Sequence, residues 1–471
     1  MSPTPPFPLR PRLAEHALAR RHLVDGVERV VIHDARRGDL STLEPRAWEI
    51  VSGADGTRDL DGICLAAARA GAFHRRSEVR FVLEALHAAG LLADGIAEAP
   101  PAGDAGEARP LAVLPGFALH CDASGACCGV YGTVRFTDEE ARRARATLPT
   151  PLHHPADARL FMPDHGSDVR GGALAVTMVD GRCAFLGEAG ACRLHAAAGA
   201  GAKPVGCRSF PATFVDDGHE VRVSVACECA CVLASAGLPG GEPMVAAGAR
   251  CVGDLRLTTP PSVLPDRIHI TETATAARAD FVAWSDAVRA ALSGDGPTDV
   301  PSFFWALAAG VEAGALDLGG LDDALCAVRP WAPGGLGAWT AALRTRAAAK
   351  RVASEVWRSP NDRVRRMAGW IDAAARALDD GAADAPLAAP GAPELARDEA
   401  FYLRAVLFGH HLAGAQPLAT ALRDRALRCL LARHVRVPSG EPESAQRHPL
   451  AAVEALMRGQ GMDAYVALVA R

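Results

Sequence analysis

Four cysteine-bearing segments between Phe117 and Cys231 decide what fold this chain can adopt. They read F-A-L-H-C-D-A-S-G-A-C-C (117–128), C-A-F-L-G-E-A-G-A-C-R-L-H (183–195), K-P-V-G-C-R-S-F-P (203–211) and V-A-C-E-C-A-C (225–231). They hold nine of the 13 cysteines of a 471-residue chain. Thiolates are soft ligands that suit zinc, copper(I) and iron–sulfur clusters. The clustering therefore predicts a segment that folds around metal.

A disulfide framework is the alternative explanation for these cysteines, and it requires an oxidising compartment. The N-terminal sequence M-S-P-T-P-P-F-P-L-R-P-R has no apolar run of the kind found in signal peptides. No stretch approaches the roughly 18 consecutive apolar residues of a membrane-spanning helix. We therefore predict a cytoplasmic protein with no membrane partner, whose thiols stay reduced and can bind metal.

The composition predicts a protein with a substantial hydrophobic core. Hydrophobic residues make up 49% of the chain, and the formal net charge at pH 7 is -5. A weakly acidic chain gives no electrostatic reason to expect a nucleic-acid partner. A chain of this length is expected to contain roughly two to four domains.

The N-terminal residues 1–97 predict a small module of strands followed by helices. V-E-R-V-V-I-H (27–33) is rich in β-branched residues and predicts a strand, and residues 40–43 predict its return strand. Pro45 suits the first turn of a helix. The turn D-G-T (55–57) precedes a second helix, and a third begins near Glu78.

This order of a strand hairpin and three helices, with D-G-T (55–57) before the second helix, resembles the pyrroloquinoline quinone biosynthesis protein D family. The resemblance implies a winged-helix-like peptide-recognition domain. Such a domain binds a peptide by strand addition at a sheet edge and presents it to a modifying enzyme. An ordinary winged-helix-like scaffold with no such role is the alternative.

The rest of the chain divides after the linker I-A-E-A-P-P-A-G-D-A-G-E-A-R-P (96–110). In residues 111–260 we predict a metal-binding domain with short hairpins at 174–186 and 213–225, and T-D-E-E (137–140) predicts a capped helix. In residues 261–471 apolar residues recur at helical spacing. The predicted fold class is α+β, with a winged-helix-like module, a cysteine-rich domain and a helical domain.

The candidate metal ligands are more numerous than one zinc site needs, and two of them are adjacent. Two neighbouring residues rarely fill the same tetrahedron, which favours a polynuclear centre. We therefore expect an iron–sulfur cluster, with zinc as the alternative. The candidates are Cys121, Cys127, Cys128, Cys183, Cys192, Cys207, Cys227, Cys229 and Cys231.

Several other residues receive predictions from their positions beside these cysteines. His120 and His195 are further candidate ligands or exposed residues, and Arg193, Lys203 and Arg208 either face solvent or offset the thiolate charge. Cys251 is left undecided. Three cysteines within apolar helical patterns are predicted to be buried structural thiols: Cys64, Cys326 and Cys429.

The pattern C…C-C, C-x-F-L…G-x-C-x-L-H and K-P…C-R-x-F-P resembles the YkgJ-type zinc- or iron-chelating cysteine-cluster family. Within that family the chain is most similar to the flagellin lysine-N-methylase branch, which V-S-V-A-C-E-C-A (223–230) and E-A-F-Y-L-R-A-V-L-F-G-H-H-L (399–412) also resemble. The chain lacks the additional cysteine that this family often carries between the first cysteine and the C-C pair. The resemblance implies metal ligation by Cys121, Cys127, Cys128, Cys183, Cys192, Cys207 and Cys227, and Cys229 and Cys231 are additional.

The resemblance implies a function that the residues themselves do not show: methyl transfer from S-adenosylmethionine to a lysine of a protein or peptide substrate. The sequence has neither a glycine-rich methyltransferase loop nor the C-x-x-x-C-x-x-C of radical enzymes. Candidate bases for deprotonating the lysine amine are Glu188, His195 and Glu228. The alternatives are a non-enzymatic metal-binding, electron-transfer or sensor module, and a peptide-maturation enzyme that acts at iron.

Overall fold

The chain folds into helices and short strands, which confirms the predicted α+β class. The computed structural model describes residues 6–24, 26–34, 40–96, 108–125, 128, 134–148, 160–164, 173–179, 182–187, 190–257, 260–292, 296–314, 316, 318–326, 362–381, 393–414, 416–441 and 443–457. Among these residues no helix is both long and apolar enough to cross a membrane.

The strands are short and belong to several small sheets. In chain order they are β1 (Pro11–Leu13), β2 (Ala17–Val24), β3 (Val27–Asp34), β4 (Leu40–Leu43), β5 (Leu92–Asp94), β6 (Leu111–Val113), β7 (Arg135–Phe136), β8 (Phe161–Asp164), β9 (Ala173–Val176), β10 (Met178–Val179), β11 (Arg182–Cys183), β12 (Ala212–Asp216), β13 (Val221–Val225), β14 (Ser262–Val263), β15 (Arg267–His269) and β16 (Thr275–Ala277). The two largest sheets have the orders β11-β10-β2-β3-β4 and β14-β12-β13-β6.

The helices lie between these strands and dominate the C-terminal half. In chain order they are α1 (Pro45–Ser52), α2 (Leu60–Arg69), α3 (Arg76–Ala88), α4 (Asp138–Thr147), α5 (Arg193–Ala198), α6 (Val205–Ser209), α7 (Ala230–Ser235), α8 (Val252–Leu255), α9 (Arg278–Ala291), α10 (Val300–Gly314), α11 (Leu321–Leu325), α12 (Asp362–Gly381), α13 (Pro393–Phe408), α14 (Leu418–His434), α15 (Glu443–Arg447) and α16 (Pro449–Met457).

The N-terminal module contains the predicted hairpin, and the structure adds one strand to it. β3 and β4 form the hairpin, and Pro45 occupies the start of α1 as expected. Sequence reasoning missed β2, which pairs antiparallel with β3 along its full length. Its apolar pattern is interrupted by Arg20 and Arg21, which are both buried. Arg21 is satisfied there by Glu28 at 2.8 Å and by the Phe161 carbonyl at 3.2 Å.

The N-terminal sheet continues into the cysteine-rich segment. β10 pairs parallel with β2, opposite His22 and Leu23, and it pairs antiparallel with β11. β11 ends at Cys183, so a candidate ligand lies on the outermost strand of this sheet. β10 covers part of the outer side of β2, and β4 forms the opposite edge.

The cysteine-rich segment shows one of its two predicted hairpins as expected. β12 and β13 pair antiparallel from Ala212↔Val225 to Asp216↔Val221. The other hairpin is shorter than predicted, because only Met178–Val179 pairs with Arg182–Cys183. Residues 173–176 instead form β9, which pairs with β7 and β8. Partners distant in sequence therefore replace the local pairing that the alternation predicts.

Helix α4 begins with the predicted capping box. Thr137 Oγ1 accepts the Glu140 amide at 3.2 Å, and Glu140 Oε2 accepts the Thr137 amide at 2.9 Å. The other carboxylate oxygen of Glu140 accepts the amide of Val205, the first residue of α6, at 2.7 Å. One buried carboxylate thus ties α4 to the helix that carries Cys207.

The C-terminal part is mainly helical, but three short strands, β14 to β16, precede its first helix. The predicted apolar face of α9 is confirmed, because Phe281, Trp284 and Val288 are all buried. Helix α14 packs against α10, α12 and α16, and most of its residues are buried. The prediction for Cys326 was wrong: it ends α11 and is exposed, whereas Cys429 within α14 is buried and Cys64 is half-buried.

Candidate metal centre

The side chains of two predicted ligands and of the residue that follows one of them converge in the structure. The sulfur atoms of Cys121 and Cys231 and a carboxylate oxygen of Asp122 all lie within 4.8 Å of one another. Cys231 is buried, whereas the other two residues are exposed. The residues come from opposite ends of the cysteine-rich segment, so the fold rather than local sequence brings them together.

Helix α7 and the segment before Cys121 position this group. Cys229 caps the N-terminus of α7, and Cys231 lies in its first turn. Ser235 Oγ donates to the Cys231 carbonyl at 2.6 Å and accepts the His120 amide at 2.8 Å. These two hydrogen bonds attach the opening cysteine motif to the helix that carries the last one.

The hydrogen bonds within the group favour loss of protons from two of its members. Hydrogen bonds from Cys121 and Cys229 lower the pKa of Cys231 to about 4. Burial raises the pKa of Asp122, but hydrogen bonds from Ser444 and Ser124 outweigh it and leave that pKa lowered. The Cys231 thiol donates a hydrogen bond to Asp122 Oδ1 at 3.2 Å. A metal cation that displaced this thiol proton would meet both groups as anions.

The donor set fits a metal ion of the kind predicted. Zinc and iron accept both thiolate and carboxylate ligands. Cys229, which hydrogen-bonds to Cys231, supplies a further sulfur beside the three convergent groups. The structure therefore brings together Cys121, Cys229 and Cys231 of the predicted ligands and adds Asp122.

A second set of cysteines lies on the neighbouring hairpin and helices. Cys183 ends β11, Cys192 caps α5, and Cys207 lies within α6. Burial raises the pKa of Cys183, and the nearby Cys207 and Cys192 raise it further. Thiols that disfavour ionisation in this way become thiolates when a bound cation supplies the opposite charge.

The two sets of cysteines are connected by a close backbone contact. Gly125 and Gly190 both have positive φ, at 67° and 84°. A Cβ built on Gly125 would lie 2.0 Å from the Gly190 carbonyl oxygen, and one on Gly190 would lie 2.1 Å from the Ser124 carbonyl oxygen. Only glycine fits at both positions. The loop after Cys121 therefore rests directly on the loop between Cys183 and Cys192.

The remaining predicted ligands occupy different surroundings. Cys227 is buried at the end of β13, where burial and the nearby Glu454 and Glu228 carboxylates raise its pKa. Cys128 is half-buried. Cys127 lies outside the described residues, as does Glu188, one of the candidate bases.

A buried charged network lies near Cys227. Glu454 accepts hydrogen bonds from Tyr402 at 2.5 Å and from Arg428 at 3.0 Å, and Arg425 approaches it at 3.1 Å. Such a network specifies one arrangement of α13, α14 and α16, because each partner left alone would be a costly buried polar group.

The basic residues beside the cysteines differ in their contacts. Arg208 lies 3.9 Å from the Glu140 carboxylate. Arg193, next to Cys192, has a buried Nη1 atom with no hydrogen-bond partner in the described part of the chain. His195 is exposed within α5, and the His120 ring lies against Gly241.

No family model matches the chain, and neither a curated protein nor a solved structure matches it. The case for metal binding therefore rests on the geometry of the site.

Sequence reasoning missed two residues at this site. Asp122 directly follows the predicted ligand Cys121, so its carboxylate was recognisable from the sequence as a further candidate ligand. Ser444 donates to Asp122 Oδ2 at 2.7 Å from 322 residues away. No local pattern marks it, because its role depends entirely on the tertiary fold.

A cleft of about 450 Å³ lies beside strands β12 and β14. Its lining includes Val215, Leu264, His410 and His411. His411 Nε2 lies 2.9 Å from Thr213 Oγ1, and burial together with the nearby Arg425 cation lowers the pKa of His411 to about 3. The cleft thus presents aliphatic walls and a neutral imidazole.

Proposed function

We propose that this chain is a metal-binding protein whose centre is built on Cys121, Asp122, Cys229 and Cys231. The observation that carries the proposal is the 3.2 Å contact between Cys231 Sγ and Asp122 Oδ1, within a group of sulfur and oxygen atoms that span at most 4.8 Å. A bound cation takes the place of the thiol proton between Cys231 and Asp122 and is ligated by both side chains.

The proposal includes a second set of thiolates at Cys183, Cys192 and Cys207, together with Cys127, Cys128 and Cys227 from the sequence pattern. The contact between Gly125 and Gly190 supports one extended centre, because it holds the two cysteine loops together. The unpaired Nη1 of Arg193 supports a nearby anionic group such as a thiolate cluster. Many sulfur donors favour an iron–sulfur cluster over a single zinc ion.

The test is anaerobic purification of the full chain followed by metal analysis and an absorption spectrum. We expect iron and acid-labile sulfide together, with a broad band near the boundary of the visible and ultraviolet. Stoichiometric zinc in a colourless protein would show that the centre is a zinc site and not an iron–sulfur cluster. A chain that retains no metal and binds none on reconstitution would refute the proposal.

For the reaction, we propose methyl transfer from S-adenosylmethionine to a lysine of a protein or peptide substrate in the cytoplasm. The support is the resemblance of the cysteine segments to flagellin lysine-N-methylase and the edge strand β4 of the N-terminal module, which suits strand addition. The half-open cleft beside His411 offers aliphatic walls and a neutral imidazole for an amine on an aliphatic stem.

The enzymatic proposal is tested with a labelled methyl donor and a lysate as the source of acceptor proteins. We expect label on lysine, and we expect Cys231→Ser to abolish it. If the metal-loaded chain neither binds the donor in calorimetry nor transfers label, a metal-dependent sensor or electron-transfer module is the better description.

A further inference from the structure

Two of the contacts of the Asp122 side chain lead in opposite directions from the metal group. Its Oδ1 atom lies 3.2 Å from Cys231 Sγ, inside the group. Its Oδ2 atom accepts a hydrogen bond from Ser444 Oγ at 2.7 Å, outside it. One carboxylate therefore connects the candidate metal centre to α15, a helix near the end of the described chain.

The position of Asp122 is that of a ligand that exchanges easily. It directly follows Cys121, and two adjacent residues rarely fill two positions of one rigid tetrahedron. Both residues are exposed, whereas Cys231 is buried, so this side of the group faces solvent. A metal site that reacts with a substrate keeps one open or replaceable position, whereas a purely structural site is closed by four protein ligands.

Ser444 is placed to orient that carboxylate without touching the metal. Its hydrogen bond occupies Oδ2, while Oδ1, which also accepts the Ser124 amide at 2.9 Å, is the oxygen that faces the sulfurs. Partners of this kind fix the orientation of a ligand and raise metal affinity. The backbone around Ser444 is itself anchored, because His448 donates its amide to the Ser444 carbonyl at 3.1 Å and its Nδ1 lies 2.7 Å from buried Asp398.

We propose that Asp122 is an exchangeable carboxylate ligand of the metal centre and that Ser444 is its positioning residue. The centre then offers one coordination position to an external nitrogen, oxygen or sulfur donor, and α15 controls how readily Asp122 leaves it. This inference rests on the proposed metal binding and adds to it a reactive, rather than purely structural, centre.

The experiment uses cobalt(II) bound to the full chain, because its absorption bands report the number of sulfur ligands and the coordination number. Affinity is measured by competition with a chromophoric chelator, and imidazole serves as the external donor. The variants are Asp122→Asn, Asp122→Cys and Ser444→Ala. Glu443→Ala is the matched control, since Glu443 lies on the same helix and pairs with Arg447 instead.

We expect imidazole to change the cobalt spectrum of the unaltered chain. Asp122→Asn should weaken cobalt binding by more than tenfold and Ser444→Ala by about tenfold. Asp122→Cys should add sulfur-to-cobalt absorption and suppress the imidazole response, and Glu443→Ala should change the affinity less than twofold. Thermal unfolding of the metal-free variants shows whether each remains folded.

Two results separate this inference from the function on which it rests. If the unaltered chain binds cobalt and Asp122→Asn binds it equally well with an unchanged spectrum, Asp122 is not a ligand and the inference fails alone. If folded Ser444→Ala matches the unaltered chain in affinity and imidazole response, the positioning role fails. A chain that binds no cobalt, zinc or iron removes the metal-binding proposal and the inference together.

Discussion

At the scale of single residues, the arrangement around Cys231 shows how a fold prepares thiols for metal. Its pKa is lowered by hydrogen bonds from Cys121 and Cys229, whereas that of Cys183 is raised by burial first and by neighbouring cysteines second. The fold thus favours ionisation of one sulfur and opposes ionisation of the other. A cation that binds Cys231 first would lower the cost of ionising the others.

Replacing Cys231 tests whether metal binding depends on this sulfur in particular rather than on the number of cysteines. Cys231→Ser removes the sulfur on which the group converges, so we expect bound metal to fall by at least half in anaerobically purified protein. Cys326→Ser is the control, because Cys326 is exposed at the end of α11. Metal content is measured on both variants. Equal metal in Cys231→Ser and Cys326→Ser would contradict the prediction.

A second residue-scale prediction concerns the protonation of His411. Its folded pKa of about 3 lies below the unfolded value of 6.5, so the unfolded chain binds a proton more readily. The stabilisation is complete above pH 6.5 and is lost as the pH falls towards 3, at no more than about 1.4 kcal/mol per pH unit. Urea unfolding between pH 7.5 and 5 measures this slope.

The control for this titration is His411→Gln, which keeps a hydrogen-bonding side chain near Thr213 but cannot ionise. The slope of stability against pH between 6.5 and 5 should be smaller in this variant. An unchanged slope would assign the pH dependence to other groups.

At the scale of elements, short loops and caps rather than long helices hold the cysteines in place. The contact between Gly125 and Gly190 joins two cysteine loops, and Glu140 joins α4 to α6. Neither α5 nor α6 extends beyond two helical turns, so neither is stable without tertiary contacts. Mutations in these connections should therefore affect metal binding and stability together.

The glycine contact is tested by Gly125→Ala with Gly116→Ala as its match. Both glycines have positive φ, at 67° and 69°, so alanine costs roughly 1 kcal/mol at either position. A Cβ on Gly116 meets nothing within 4 Å, whereas one on Gly125 meets the Gly190 carbonyl oxygen. We expect Gly125→Ala to weaken metal binding severalfold and Gly116→Ala to leave it unchanged. Similar affinities would mean that this contact does not position the cysteines.

The capping box at α4 supports a second prediction at this scale. Glu140→Ala removes acceptors for the amides of Thr137 and Val205, and the Val205 amide is buried. The expected loss of unfolding free energy is about 1–3 kcal/mol, measured by chemical denaturation. Glu139→Ala, one position earlier and paired with Arg143 on the surface, should cost less than about 0.5 kcal/mol. Equal losses of unfolding free energy would show that the hydrogen bonds accepted by Glu140 add no measurable stability.

At the scale of the whole molecule, the sequence predicted elements well and their partners poorly. The β3–β4 hairpin, the capped helix α4 and the buried face of α9 follow from local pattern, because each depends on residues a few positions apart. β2 was missed because its buried arginines need partners that only the folded chain supplies. The pairing of β9 with β8 and the contact between Ser444 and Asp122 were missed for the same reason.

For the candidate site, too, the residues were predictable from the sequence but their pairing was not. The cysteines were recognisable because thiols cluster in the sequence, and the structure brings Cys121 next to Cys231 without any signal that paired these two in advance. The placement of Cys326 in a buried core was wrong because an apolar neighbourhood in sequence does not fix which side of a short helix faces inward.

The parallel pairing of β10 with β2 has a consequence for any attempt to study the N-terminal residues alone. A fragment that stops at residue 97 keeps β2 but loses the strand seated beside His22 and Leu23, so unsatisfied amides and carbonyls face the solvent. We expect such a fragment to self-associate at high concentration, and light scattering would detect it. A fragment that remains monodisperse would show that the exposed edge of β2 does not promote association when β10 is absent.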